Sequence, residues 1–445
     1  MTETNLRLLK DIDEPGLHTI DVYERRGGYS ALRRAVTELE PDEVLEQIEE
    51  ADLLGRGGAA FAMGMKAGFV PKGDTKNYML CNADESEPGA FKDRVLMQKN
   101  PHLLIEGLLI AARAIDAVQA IIYIRGEYEH QADILDRAVA EAYERGYVGK
   151  DILGMGWDLE LVVHRGAGAY IAGEEMALLD SLEGKRAHPR MKPPYPANVG
   201  GGVYLSPTLV NNVETLCNVP WIINLGVEEY RKLGTEQSTG TKVVSVSGNV
   251  RRPGNYEVPL GVTCRDLIYG LAGGPPEGRE VKCFLPGGSS SPALTGDEGL
   301  DLRFDFETLE AAGSMLGSGS VIVVDDSQPI VPFALRLAEF YRHESCGKCV
   351  PCREGTNWTV KMLERIDSGE ATPMDFELLA QVQTNILGNC LCLLGDSMAM
   401  AVGSMLEKFR DEFERHAEEA RARNEAALVE QSAPELAAAP SIGPI

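Results

Sequence analysis

The sequence predicts an α/β protein in three parts, and three observations support this fold class. Between residues 77 and 183, short apolar runs alternate with stretches of helical period, as in a layer of largely parallel strands covered by helices. Residues 241–325 hold short apolar runs separated by turns, which indicates a small β-rich unit with one helix. Residues 331–430 return to a helical period and contain five of the nine cysteines.

The elements of the first part follow one another in a regular order. A helix over residues 42–53 ends at the glycine-rich turn that begins at Gly55. We then expect strands at 78–81, 120–124 and 159–163, alternating with helices at 103–114, 127–144 and 174–182. Residues 186–208 contain five prolines and three successive glycines, so they are expected to form a loop without regular structure.

Changes of pattern place the domain boundaries. The α/β domain with its N-terminal extension covers residues 1–235, and the β-rich domain covers 236–330 with strands at 242–246 and 321–324 and a helix near 264–271. The helical domain covers 331–429. Residues 430–445 are rich in Ala and Pro and have no apolar face, so they are predicted to be a disordered tail.

Composition excludes several classes of protein. The chain has 445 residues, 43 basic and 68 acidic side chains, and a net charge of −25, which disfavours general binding to nucleic acid. A hydrophobic content of 44% excludes disorder of the whole chain. No apolar run approaches the roughly 18–20 residues of a membrane span, and the first residues lack the apolar core of a signal peptide. We therefore expect a cytoplasmic protein without direct membrane insertion.

The cysteine spacing is the strongest chemical signal. Cys346, Cys349 and Cys352 are each separated by two residues, and Cys390 or Cys392 supplies a further thiol roughly 40 residues later. Three spaced thiols and a remote fourth are typical of a [4Fe–4S] cluster, whereas structural zinc sites usually consist of two C-x-x-C pairs. Spacing alone does not choose the fourth ligand. The isolated Cys81, Cys217, Cys264 and Cys283 are expected to pack in cores.

A glycine-rich loop is a candidate anion site. Residues 55–60 match G-x-G-x-x-G/A, but a helix precedes them where a dinucleotide fold requires a strand. The loop could still offer backbone N–H groups to a phosphate, with Arg56 and Lys66 adding positive charge; the alternative is an ordinary loop. Core packing is the commoner role of aromatic residues such as Phe61, Phe69 and Tyr195, unless a planar ligand is present.

Three other segments have ligand-binding character. Residues 82–87 follow a strand directly and carry three carboxylates, which would suit a metal, ribose hydroxyls or simply solvent. Residues 166–175 are glycine-rich and lie between a strand and a helix, so backbone there can approach a ligand closely. Asn211 and Asn212 offer amides that both donate and accept hydrogen bonds toward a heteroaromatic ring.

Six motifs in this order resemble one family. They are GRGGAAF at 55, NADESEPG at 82, GAGAYIAGEE at 166, KPPYP at 192, VNNVETL at 210 and ESCGKCVPCREG at 344. Together, over about residues 30–420, they resemble the NADH-binding flavoprotein (the F subunit) of respiratory NADH:quinone oxidoreductase (complex I). The resemblance implies a Rossmann-like domain of non-classical type, a ubiquitin-like β-grasp domain over 241–325, and a helical bundle that carries the cluster.

The resemblance also implies roles for individual residues. The NADH pocket would be lined by Gly55, Arg56, Gly57, Gly58, Ala59, Phe61 and Gly64, with Lys66 reaching a phosphate. FMN would be held by Asn82, Asp84, Gly173, Glu174, Asn211 and Asn212, and the same motifs add Glu85, Gly166, Gly168, Tyr170 and Thr215. Glu87 and Glu175 would contact the nicotinamide nucleotide, and Phe61, Phe69 and Tyr195 would stack on its rings. The cluster ligands would be Cys346, Cys349, Cys352 and Cys392, since the family places its cysteine three residues before Gly-Asp; Cys390 would then pack beside the cluster.

The implied chemistry is electron input. NADH gives up two electrons at once and a cluster accepts one, so FMN stands between them as the converter. Hydride transfer needs no side-chain acid or base, and no catalytic residue is assigned. The implied partners are the small [2Fe–2S] protein (the E subunit) and the large iron–sulfur protein (the G subunit) of the same complex, at the cytoplasmic face of the inner membrane.

The sequence departs from the family pattern at three positions, and alternatives remain. Ala60 replaces a glycine, Ala67 a tryptophan and Ala172 a cysteine. The extra methyl group at Ala60 affects the nucleotide loop, whereas Ala172 leaves the cluster thiols intact. The same module also occurs as the diaphorase component of NAD-linked hydrogenases or formate dehydrogenases, and the non-enzymatic alternative is a zinc-stabilised scaffold.

Overall fold

The first sheet consists of four parallel strands. A computed structural model describes residues 6–432, and in it β1 is Asn77–Ala83, β2 is Ala117–Ile124, β3 is Glu160–Arg165 and β4 is Thr208–Asn212. Their order across the sheet is β3-β2-β1-β4, so the direction of winding reverses between β1 and β4. This order corresponds to one half of a doubly wound dinucleotide-binding fold, strands 3-2-1, with the first strand of the other half beside it.

Helices cover both faces of this sheet. The longest apolar ones are almost wholly buried between the sheet and the N-terminal helices, because they lack a polar face. The helices are α1 Ile20–Arg25, α2 Ser30–Thr37, α3 Pro41–Glu50, α4 Met63–Gly68, α5 Asp93–Lys99, α6 Pro101–Ala114, α7 Glu129–Glu144, α8 Glu175–Leu182, α9 Val213–Leu225 and α10 Val227–Arg231. Asn212 begins α9 by accepting a hydrogen bond from the backbone of Glu214, as an N-cap residue does.

The second sheet has the β-grasp arrangement. Its strands are β5 Thr241–Gly248, β6 Gly254–Pro259, β7 Val281–Leu285, β8 Leu294–Thr295 and β9 Ser320–Asp325, and their order is β6-β5-β9-β7-β8. The first and last strands, β5 and β9, are parallel neighbours in the centre, and the other pairs are antiparallel. A π-helix at Asp266–Leu271 corresponds to the helix predicted near 264–271, and short helices α11 Gly296–Gly299 and α12 Phe306–Ala311 follow.

The C-terminal part is helical. It comprises α13 Ile330–Glu344, α14 Val350–Asp367, α15 Pro373–Ile386, α16 Leu394–Lys408 and α17 Arg410–Ser432. Helix α17 extends three residues into the segment predicted to be a disordered tail, and residues 433–445 lie outside the described part of the chain. No helix within residues 6–432 is both long and apolar enough to cross a membrane.

The predicted fold class is confirmed, with local corrections. The five residues of β4 were not predicted, because they lie between the proline-rich loop and an apolar helix that masks their period of two. The helices α1 and α2 were also not predicted. The loop at 186–208 is irregular as expected, apart from a single 3₁₀ turn at Val203–Leu205 and its last residue, Thr208, which begins β4. The isolated cysteines 81, 217, 264 and 283 are all buried, as expected of core residues.

Candidate active site

The carboxyl ends of β1 and β4 meet where the strand order reverses. Asn82, next to the end of β1, is in register with Asn212 at the end of β4. Loops that leave two such strands diverge to opposite faces of the sheet, and the crevice between them is the usual ligand site of α/β folds. Here the crevice opens into a cavity of about 300 Å³, which is within the size range of cofactor sites.

The cavity is lined by all three parts of the chain. Among the residues predicted from the motifs, it is lined by Gly57, Gly58, Ala59, Asn82, Asp84, Glu85, Glu87, Tyr170, Gly173, Glu174, Asn212 and Cys392. Sequence reasoning missed Ser86, Ala90, Lys92, Asp93, Ile171, Ser290, Met315, Gly317, Ser318, Leu393, Leu394 and Ser397. The glycine- and serine-rich run at 287–291 was a signal for the contribution of the second sheet, since such a loop brings backbone close to a ligand.

Glycines keep the cavity open on the side of the 55–60 loop. A Cβ on Gly57 would lie 2.9 Å from Cβ of Asn212, so the loop backbone lies directly on β4. Gly58 has φ of +133°, a conformation that side chains rarely adopt. The amide of Asn82 donates to the carbonyl of Gly173 at 2.8 Å and closes the opposite wall. The cavity between these walls is therefore lined by glycine backbone and side-chain amides, and this lining fits a flavin.

Two acidic residues of the β1 loop lie in this cavity in different environments. Burial raises the pKa of Asp84 to about 7, although the hydroxyl of Ser86 donates to its Oδ1 at 2.6 Å. Burial also raises the pKa of Glu87, whose carboxylate accepts from Tyr170 Oη at 2.7 Å and from the backbone of Ser290 at 2.8 Å. Asp84 thus bears only part of its charge in the neutral pH range, and both carboxyl groups offer oxygens to ribose or ribityl hydroxyls.

A buried charge network supports the cavity floor. Lys92 Nζ lies 2.7 Å from Asp93 Oδ1 and 2.8 Å from Glu214 Oε2. Lys242 of β5 pairs with the same Glu214 carboxylate. Burial opposes the charge of Glu214, but the ammonium groups of Lys242 and Lys92 outweigh it and lower the pKa of this carboxyl. Burial, aided by Lys92, lowers the pKa of Lys242 to about 7 despite Glu214.

A second group of charges lies beside the glycine loop. Lys66 Nζ is 2.7 Å from Glu175 Oε2, and Lys192 Nζ is 2.8 Å from Glu175 Oε1. Burial would raise the pKa of Glu175, but the two lysines lower it to about 2. Lys66 is thus paired with a carboxylate, and Lys192, which the KPPYP motif contains, was missed by sequence reasoning. Glu174 caps helix α8 by accepting from the backbone of Ala177 at 2.9 Å.

The predicted stacking residues are exposed. Phe61 and Phe69 lie with ring centroids 6.4 Å apart and are 48% and 54% exposed. Tyr195, on the proline-rich loop, is 54% exposed. Single exposed aromatic side chains are common on protein surfaces, but Phe61 and Phe69 already form a pair to which a planar ring could be added.

Arg56 and Thr215 do not lie in the cavity. The guanidinium of Arg56 is wholly buried and donates to the carbonyl oxygens of Leu54 at 3.1 Å and Thr239 at 2.6 Å. Its backbone N–H donates to Thr215 Oγ1 at 2.8 Å. The expectation that Arg56 adds positive charge for a phosphate is therefore corrected: its side chain anchors the glycine loop to the protein core.

The other predicted residues outside the cavity lining are mostly explained by packing. A Cβ on Gly64 would lie 2.4 Å from Glu49 Cα, and one on Gly166 would lie 2.6 Å from Tyr123 Oη, so both glycines permit close packing. Gly55 donates its N–H to the carbonyl of Phe61 at 3.0 Å, and Gly168 has φ of +79°. Asn211 is different: its buried Nδ2 has no hydrogen-bond partner among residues 6–432, although the residue does not line the cavity.

A second cavity is lined by five thiols. Cys346 and Cys349 lie in the loop before α14 and Cys352 in its first turn, while Cys390 and Cys392 lie in the loop between α15 and α16. No three His, Cys, Asp or Glu side chains within residues 6–432 are arranged around a point that one metal ion could occupy, and the thiols instead surround the cavity. Soft sulfur donors without a carboxylate among them fit an iron–sulfur cluster.

Hydrogen bonds to sulfur already surround this cavity. The backbone N–H of Leu391 donates to Cys349 Sγ at 3.2 Å, and Ser345 Oγ lies 3.3 Å from Cys352 Sγ. Such bonds to ligand sulfurs are among the factors that set the potential of a cluster.

The two cavities share a wall. Ile171, Cys392 and Leu394 line both of them, and Cys392 is a predicted cluster ligand. A group in the first cavity and a cluster in the second would be separated by single side chains.

Comparisons with known proteins agree with this geometry. The family model "Nuo51 FMN-binding domain" matches residues 48–221, "SLBB domain" matches 243–291, and "NADH-ubiquinone oxidoreductase-F iron-sulfur binding region" matches 332–416. The second NADH-quinone oxidoreductase F subunit of Rhizobium meliloti (strain 1021) is 52% identical, covering 93% of this chain and 98% of that relative. The F subunit of Escherichia coli (strain K12) is 46% identical, covering 89% of each chain. A crystal structure of an NAD⁺-reducing [NiFe]-hydrogenase in the H₂-reduced state superposes with a TM-score of 0.80 at 35% identity, covering 96% of this chain and 71% of that one.

The fold and the two cavities define an iron–sulfur flavoprotein of the NADH dehydrogenase class. The chain belongs to the family of NADH-quinone oxidoreductase F subunits. It is an NADH-oxidising subunit of a multi-subunit, complex I-type enzyme, and its cofactors are FMN and a [4Fe–4S] cluster. The resemblance, the function and the cofactors expected from the motifs are confirmed, and the zinc scaffold is not.

Proposed function

We propose that electrons enter beside the exposed side chains of Phe61, Phe69 and Tyr195, cross the 300 Å³ cavity and leave through the wall that contains Cys392. The shared wall carries this proposal, because a single layer of side chains between two redox groups permits direct transfer. Bound FMN supplies the conversion between a two-electron donor and one-electron acceptors. The chain's own residues bind and orient the two nucleotides, exclude water from the cavity and hold the cluster thiols.

The cavity residues would divide the binding of FMN between backbone and side chains. Gly57 and Gly58 would bring their backbone into contact with the flavin. The side-chain amides of Asn82 and Asn212 are fixed by hydrogen bonds to Gly173 and Asp93, and so hold the two walls at a fixed distance. Asp84 faces the cavity as a hydrogen-bonding group for hydroxyls. The unpartnered Nδ2 of Asn211, so described within residues 6–432, is a further donor beside this site.

NADH would be bound at the mouth of the same cavity. Phe61 and Phe69 offer exposed ring faces for stacking, and Tyr195 offers a third from the proline-rich loop. The Lys66–Glu175–Lys192 group would exchange one of its ion pairs for a nucleotide phosphate or ribose. Glu87, held by Tyr170 and Ser290, would contact a ribose of the bound nucleotide.

The domain limits proposed from the sequence are 1–235, 236–330 and 331–429.

The proposed partners are the [2Fe–2S] protein and the large iron–sulfur protein of the same complex, its E and G subunits, and the proposed location is the cytoplasmic face of the inner membrane. A cluster that receives electrons singly needs an acceptor beyond it, and we identify no quinone site within residues 6–432. Co-purification of both iron–sulfur partners from gently solubilised membranes tests this assignment.

The identities favour the quinone oxidoreductase over the hydrogenase diaphorase. The chain is 46–52% identical to several F subunits, against 35% for the hydrogenase chain of known structure.

Purified with its cofactors, the chain should oxidise NADH with ferricyanide but should not reduce quinone unaided. Phe61→Ala should raise the KM for NADH, whereas the matched control Val118→Ala, at an exposed position of β2, should not. Quinone reduction by the isolated chain would contradict the proposed input role.

A further inference from the structure

The cluster cavity has one more thiol than a cubane cluster requires. A [4Fe–4S] cluster takes four cysteine ligands, yet Cys390 lines the cavity together with the four predicted ligands. Cys390 therefore differs from the four isolated cysteines, which are all buried and do not line this cavity. A cluster with four ligands therefore does not explain why a fifth thiol lines the same cavity.

The loop that carries Cys390 and Cys392 allows both sulfurs to reach the cavity. Helix α15 ends at Ile386 and α16 begins at Leu394, so the seven residues between them are not helical. In a helix, residues two apart would point about 200° from each other, and one thiol would turn away. The irregular loop, which contains Gly388 at φ of +71°, removes that restriction.

Cys390 lies beside an assigned ligand. The Cβ that Gly395 lacks would lie 3.0 Å from Cys390 Sγ and 3.3 Å from Cys352 Cβ, so the glycine leaves room for these two side chains to be neighbours. The intervening residue of the loop is also tied to the site, since the Leu391 N–H donates to Cys349 Sγ. The S–H of Cys390 makes a weak contact, at 3.8 Å, to the carbonyl of Ile386. Within the described residues, no strong hydrogen bond holds this thiol in its present position.

We propose that Cys390 is a reserve ligand, able to bind the iron that Cys392 normally holds. On binding, its thiol would lose a proton to solvent and form one iron–sulfur bond, as each ordinary ligand does. The proposal rests on the presence of the [4Fe–4S] cluster in this cavity. The EPR signal of the reduced wild-type protein tests that presence separately, so the failure of one is distinguishable from the failure of the other.

Alanine variants of the full chain, purified anaerobically with FMN, test the reserve role. Alanine is chosen because a serine oxygen could itself bind iron. Cys392→Ala should keep about four iron atoms per chain, with shifted g values in the EPR spectrum because the ligand comes from a new position. Cys390→Ala/Cys392→Ala should lose most of its iron. Cys346→Ala is the matched control, because the loop before α14 offers no spare thiol, and it should lose iron as the double variant does.

Equal iron loss in Cys392→Ala and the double variant would overturn the proposal, and so would iron loss in Cys390→Ala alone. The FMN content of each variant reports whether the α/β part is folded. If Cys392→Ala does not fold, Cys392→Val, whose side chain has no atom that can bind iron, replaces it and is compared with Cys390→Ala/Cys392→Val. Retention of the cluster only when Cys390 is present supports the reserve role, and equal iron in both variants overturns it.

Discussion

Glu214 in the first turn of α9 and Lys242 in β5 form an ion pair that is wholly buried between the first and second sheets. The same carboxylate accepts from the backbone N–H of Val243 at 2.8 Å and lies 2.8 Å from Lys92, which lines the flavin cavity. The β-grasp part is therefore attached to the floor of the cofactor site by charge as well as by apolar contact.

Glu214→Gln should strongly destabilise the protein. The substitution removes the buried carboxylate that Lys92 and Lys242 share, and breaking a buried pair in this way costs about 3–5 kcal/mol. Urea unfolding followed by circular dichroism measures the loss. The control is Glu229→Gln in the exposed Lys232–Glu229 pair, for which the free energy of unfolding should change by less than about 1 kcal/mol. Similar effects of both substitutions would refute a special role for the buried pair.

Asp84 should make the stability of the FMN-free chain depend on pH. Burial raises its pKa from 3.8 to about 7, so the folded chain holds this proton more tightly than the unfolded chain does. The contribution of Asp84 is therefore favourable at low pH and is lost as the pH rises through 7. The side chain of Asp84→Asn cannot ionise. As the pH is raised from 5 to 8, the free energy of unfolding of this variant should therefore increase by roughly 1–3 kcal/mol relative to that of the unsubstituted chain. The exposed Asp74→Asn should show no such gain; a gain of equal size there would contradict the assignment.

Ala60→Gly should stabilise the glycine-rich loop. Ala60 has φ of +54°, in the left-handed region, at the position where the family pattern has a glycine. Left-handed backbone costs a residue with a Cβ about 1–2 kcal/mol, and part of this gain is offset by the entropy of glycine in the unfolded chain. We expect a net gain of about 0.5–1 kcal/mol in the free energy of unfolding. The neighbouring Ala59→Gly lacks this strain and should not stabilise; a loss of stability in Ala60→Gly would show that the strain is absent.

NADH should be preferred over NADPH. Glu87 and Asp84 lie in the cavity, and a 2′-phosphate placed near such carboxylates would be repelled. The ratio of kcat/KM for the two nucleotides measures the preference, and Glu87→Gln should narrow it. Glu160→Gln, at an exposed position of β3, is the control and should leave the ratio unchanged. Equal kcat/KM for NADH and NADPH in the unsubstituted protein would contradict the prediction that these carboxylates repel the 2′-phosphate of NADPH.

Local patterns predicted the fold class and the candidate cluster ligands, because both depend on short-range regularity. The alternation of strands and helices and the C-x-x-C-x-x-C spacing are visible within a few residues of one another. The contributions of Met315 and Ser318 to the flavin cavity were not predictable in this way, since they depend on how the second sheet packs against the first. The orientation of Arg56 was also decided by tertiary structure, through its bonds to Leu54 and Thr239.

A single wall, which contains Cys392, separates the flavin cavity from the cluster cavity, so electrons should pass directly from one to the other. An anaerobic reaction of the purified chain with NADH, followed by flavin absorbance and rapid-freeze EPR, measures this transfer. The flavin should bleach, and the signal of a reduced [4Fe–4S] cluster should rise with it, without any added mediator. Complete bleaching of the flavin by NADH with no cluster signal would contradict direct transfer through this wall.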